Sequence, residues 1–146
     1  MSHVRSQIRA AVKAELDAAM AGYSVFSSRR YKINEDELPL VDMRFVTEQS
    51  EFGTLSDVQE RMPSLAIRVA ISASESDIDD DLDDAAVLVE HAIAEAGKLG
   101  GLLIDIGLTQ TDFTDASDGD KPLAQVILRY DMHYRASATD VETAGD

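Results

Sequence analysis

The chain contains no cysteine among its 146 residues. Disulfides and thiol chemistry are therefore excluded, and the absence fits a reducing cytoplasm. Positive charge is scarce. Thirteen Lys and Arg stand against 28 Asp and Glu, giving a net charge of −15 and a pI near 4.4. A chain of that sign lacks the basic footprint that nucleic-acid binding needs. It is also not drawn to anionic membrane surfaces. No run approaches the roughly 18 apolar residues of a membrane span. The opening stretch, MSHVRSQIRAAVKAELDAAM, carries basic residues but no continuous apolar core, so it does not read as a secretory signal.

Catalytic signatures are missing as well. There is no G-x-S-x-G, no G-x-G-x-x-G and no Walker A sequence. GKLGG after Ala96 reads only as a helix end. His3, His91 and His133 are far apart, and no H-x-x-x-H occurs; without cysteine a zinc site would need carboxylates. The residues lead us to expect no catalytic group, no metal and no cofactor.

What is present suits one folded domain. Hydrophobic residues make up 45% and charged residues 28% of a length that can bury a real core. Val4, Ile8, Val12, Leu16 and Met20 recur every four residues and predict an amphipathic helix over 2–20, with Ser2 as its cap. YSVF (23–26) is a short strand candidate. SSRRYKINEDEL is polar and reads as a loop, with room for a brief strand near Tyr31. PLVDMRFV (39–46) is a strand led by proline, where a missing donor is tolerated. Residues 47–63 are polar, with Phe52 and Leu55 isolated among them, and read as a long loop or an extended hairpin tip. In SLAIRVAISAS (64–74), Leu65, Ile67, Val69 and Ile71 alternate with smaller or polar residues, which is the pattern of a half-buried strand. A second helix follows, on Ile78, Leu82, Ala85, Val89, Ile93 and Ala96. Two strands close the chain, LLIDIGLTQTDF (102–113) and LAQVILRYDMHYR (123–135), joined across Asp118-Gly119. The expected fold is α+β: a mixed, mostly antiparallel sheet with two helices packed on it, in the order α-β-β-β-α-β-β. One domain over 1–135 and a flexible polar tail over 136–146 are expected.

ESDIDDDLDD (75–84) holds seven acidic residues in ten. Asp77, Asp79 and Asp81 have the 1-3-5 spacing of an EF-hand loop. Position 6 is Leu82 instead of glycine and position 12 is Leu88 instead of glutamate, so the sharp turn and the bidentate ligand are both lost. The run reads as the solvated start of a helix, where the backbone dipole favours negative charge; Ser76 with Asp79 resembles a capping box. SSRRYK (27–32) is the one basic cluster. It is either a solvated loop or a docking patch for an acidic surface. Residues 77–84 of another copy are the obvious candidate surface, which would make a head-to-tail contact. Candidate interface residues are thus Arg29, Arg30, Lys32, Phe52, Leu55, Asp79, Asp80 and Asp83.

In this order, the segments IRAAVKAELDAA, RRYKINEDELPLVDMRF, LAIRVAI, SDIDDDLDDAAVLVEHAI and LAQVILRYDMHY resemble a phage tail terminator of the lambda-like minor tail protein U family. The similarity runs from about residue 4 to 134. The proline-led strand and VILRYDMHY are its most specific parts. The resemblance implies a structural virion protein of the tail neck, assembled in the host cytoplasm. It implies a homo-hexameric ring that caps the tail tube, ends tube polymerisation and provides the head-to-tail joining surface. The implied partners are further copies of itself, the major tail tube protein and the head–tail connector, with DNA passing through the ring channel and no sequence-specific contact to it. The alternatives are another neck or tail-completion protein, and a small acidic ligand-binding or enzymatic domain.

Overall fold

The computed structural model describes residues 3–52, 58–73, 76–118, 121–137 and 139–144. Helix α1 (Val4–Ala19) buries the side chains the four-residue repeat picks out, Val4, Ile8, Val12 and Leu16. Ser2 lies outside the described residues. The cap position belongs to His3, whose Nδ1 accepts the Arg5 backbone N–H at 3.1 Å. Burial, and then the Arg5 cation, lower the pKa of His3, which keeps that nitrogen free to accept.

Strand β1 (Ser24–Val25) pairs parallel to β2 (Leu40–Phe52), which runs antiparallel to β3 (Val58–Ser72). Helix α2 (Ile78–Ala96) crosses back over the sheet to β4 (Asp105–Asp118) and β5 (Lys121–Ser137). The sheet order is β1-β2-β3-β5-β4, so the element order and the α+β class are those expected. Both helices lie on one face. Alternating residues of β3 and β5, Leu65, Ile67, Val69 and Val126, Leu128, Tyr130, Met132, Tyr134, join the helix stripes in a single apolar cluster.

Several sequence expectations are corrected. Most of 47–63 is strand: β2 continues to Phe52 and β3 begins at Val58, with Ser50 opposite Arg61 and Phe52 opposite Gln59. These arms have few apolar residues because they extend beyond the helices and have no core to face. The extended-hairpin reading holds and the long-loop reading does not; Leu55 lies outside the described residues. The strand near Tyr31 is absent, and a short 3-10 turn at Glu35–Glu37 is the only regular element described there. Helix α2 begins at Ile78 with Asp77 in the cap position, one residue later than a Ser76 box requires. Likewise β4 starts at Asp105 and runs on to Asp118, which pairs with Lys121, so TDASDGDKP is mostly strand. Residues 139–144 lie against the rest of the domain. The Val4 N–H donates to the Val141 carbonyl at 3.0 Å, and Ala136 bridges Ala144.

Candidate functional site

The basic loop between β1 and β2 crosses the sheet face opposite the helices. Its anchor is a cross-strand ion pair. Asp42 on β2 faces Arg68 on β3. Arg68 donates through Nε to Asp42 Oδ1 at 2.9 Å and through Nη2 to Asp42 Oδ2. The same Nη2 reaches the Arg30 carbonyl at 2.7 Å, and the Arg30 backbone N–H donates to Asp42 Oδ2 at 2.8 Å. The Asp42 side chain is only 3% exposed. A carboxylate that deep needs such a full set of donors.

That anchor divides the basic cluster. The Arg30 guanidinium lies 4.6 Å from the Phe26 ring centroid and pairs with Glu37 at 3.1 Å. Burial of Glu37 opposes its ionisation, yet the hydrogen bonds from Arg30 and Asn34 win and hold its pKa below the ordinary carboxylate range. Arg30 therefore serves the fold of its own loop. Arg29 and Lys32 are exposed. Between them Tyr31 is 89% exposed, with the Arg29 guanidinium 5.2 Å from its ring centroid. Tyr31 was not among the sequence candidates. Its signal was available in the aromatic flanked by two cations of SRRYK.

Asp79, Asp80 and Asp83 are all exposed on α2. The acidic run as a whole does not form one patch. Asp81 and Asp84 lie on the side near Tyr23, whose pKa is raised by burial and then by those two charges. Asp79 and Asp83 share a side with Val87, Glu90 and Ala94, by the four- and seven-residue spacing of a helix face. That side overlooks β4. A cleft of about 420 Å³ separates the end of α2 from β4, with Glu90, Ile93, Ala94, Ile106, Leu108 and Tyr130 among its walls. Burial, then the Glu90 charge, push the Tyr130 hydroxyl up to about 12, so it stays protonated there. Leu108 pairs with Tyr130 and Phe113 with Val126, which puts both on the helix-bearing face. They remain exposed, Phe113 by 63%, because α2 leaves this edge uncovered.

The β2–β3 arms carry the third surface. Phe52 at the end of β2 is 94% exposed. Closer to the body, Glu48 gathers Arg5 at 2.7 Å, Arg61 at 3.2 Å and the Tyr134 hydroxyl at 2.8 Å. Burial and the Glu48 hydrogen bond raise the pKa of Tyr134 well above the ordinary phenol range. On the opposite face Glu60 accepts from Arg135 at 2.7 Å and lies 2.6 Å from His133 Nε2. Those two hydrogen bonds, Arg135 first, lower the Glu60 pKa. His91 instead pairs with Glu95 along α2 at 3.5 Å. Among the described residues no cluster of three His, Asp or Glu could hold a metal, and no helix is long and apolar enough to cross a membrane.

Tyr31, Phe52 and Phe113 are thus exposed aromatics at three separate places around one buried core. The family model for phage minor tail protein U matches residues 3–134. The chain belongs to the phage minor tail protein U family. It is accordingly a structural protein of a phage tail and a component of the virion. No curated protein matches its sequence.

Proposed function

We propose that this minor tail protein is a tail terminator. Six copies close into a ring on the last ring of the tail tube, stop its growth and offer the surface that the head connector joins. The observation that carries the reading is the family match, which takes in both helices and all five strands as far as residue 134. The shape of the domain supports it. Tyr31, Phe52 and Phe113 are exposed aromatics on different margins of one compact body, as a subunit with several simultaneous neighbours requires. Each copy brings a net charge of −15, so ring contacts must match in sign wherever they close.

The test is to polymerise the tail-tube protein with and without this chain and to measure tube length and tube ends by electron microscopy. The expected result is shorter tubes, each ending in a six-fold ring. Tubes of unchanged length with bare ends overturn the reading and favour another neck or tail-completion role.

A further inference from the structure

We infer that the β1–β2 loop of one copy seats Tyr31 in the groove between α2 and β4 of the next copy. The inference rests on the ring reading above and names the contact that closes the ring.

Position is the first argument. The loop lies over β2 and β3 on the face opposite the helices, where Arg68 holds it at Arg30, while the groove opens on the helix-bearing face at the β4 edge. A surface on one face that fits a different surface on the other makes a head-to-tail contact, which closes into a ring when the rotation allows.

Charge and shape are the second. The loop tip presents Tyr31, 89% exposed, between the exposed cations Arg29 and Lys32. Arg30 is engaged within its own loop, its guanidinium paired with Glu37 and beside the Phe26 ring and its backbone N–H bound to Asp42. The groove offers the converse. Its floor is apolar, with Ile106 and a Leu108 that is 40% exposed, and Phe113, 63% exposed, stands further along the same strand. Its helix wall carries the exposed Glu90, and the exposed Asp83 lies about two turns nearer the start of α2 on the same side of the helix. Lys98 is the one cation among the described residues lining the cleft, at its far end. An aromatic anchor flanked by cations fits an apolar floor beside carboxylates, and buried aromatic anchors carry much of the energy of small interfaces.

Pre-organisation is the third. The loop backbone is anchored next to the tip, because Arg68 and Asp42 bind it at Arg30, one residue before Tyr31. A loop held in its docking conformation loses less entropy on binding.

Charge exchange tests this. R29E/K32E reverses the loop, D83K/E90K reverses the groove, and a fourth chain carries all four changes. Self-association is followed by sedimentation velocity, ring formation on tail tubes by electron microscopy and folding by thermal unfolding. All four positions are exposed, so unfolding temperatures should stay together. Each double variant should associate at least about tenfold more weakly than wild type, a change of about 1.4 kcal/mol. The combined chain should recover, because each reversed loop meets a reversed groove. Y31A, with the charges intact, should also weaken association. Double variants that form rings like wild type overturn the contact and leave the terminator reading standing. So does a combined chain that folds but does not recover, or a pattern in which only binding to the tube protein suffers. A wild-type chain that forms no ring in solution or on tubes overturns both.

Discussion

Asp42 and Arg68 stand directly opposite each other on β2 and β3, and their ion pair holds down the loop that carries Tyr31. The pair is buried at the carboxylate end and satisfies backbone groups of Arg30 from both partners. It couples the centre of the sheet to an exposed loop.

Removing one partner leaves a buried charge alone, which costs about 3–5 kcal/mol. R68A should therefore unfold well below the wild-type temperature. Hydrogen exchange should rise across residues 26–37 more than in β3 itself. If exchange in that loop stays at its wild-type rate, the anchor is misassigned.

Glu48 ties α1 to the hairpin arms through Arg5, Arg61 and Tyr134. Y134F removes one donor from a carboxylate that keeps two cations, and should cost about 1 kcal/mol in denaturant unfolding. E48A should cost more, because Arg61 is largely buried and the Tyr134 hydroxyl loses its acceptor. Equal effects of the two substitutions would contradict this ranking.

The folded state lowers the Glu60 pKa, first through Arg135 and then through His133. A depressed carboxylate contributes stability that is complete above its unfolded value. That contribution disappears as pH falls through the folded value. The stability gap between wild type and E60Q should thus be flat at neutral pH and close on the acid side, below the ordinary range of a glutamate. Unfolding temperatures from neutral to pH 3 measure it. A gap that widens on acidification contradicts the sign.

Phe52 touches solvent over nearly its whole surface. F52S should change folding stability by no more than about 0.5 kcal/mol, as surface changes do. On the terminator reading proposed above, tail-tube capping should weaken if the arm uses its aromatic tip as a contact. Normal capping by F52S would make the arm a spacer.

Much of this fold was legible because its centre obeys simple periods. The stripe from Val4 to Leu16 and the alternation from Leu65 to Ile71 face one apolar cluster, and both were read directly. The arms were not, since residues such as Glu48, Arg61, Glu60 and Arg135 pair with one another across strands instead of facing a core. A strand polar on both faces has no apolar rhythm to detect. The candidate surfaces were half legible for a related reason. Composition marked the basic cluster, but only the folded chain shows that Arg68 and Asp42 bind the Arg30 backbone and Glu37 its guanidinium, while Arg29 and Lys32 stay exposed.

The two helices cover only the middle of a sheet whose strands reach 17 residues in β5. Its described ends are held by ladder hydrogen bonds and ion pairs, and its middle by apolar contact on the helix face and the buried Asp42–Arg68 pair on the other. Salt therefore acts unevenly on this molecule, screening the charges at the ends and leaving the centre as it was.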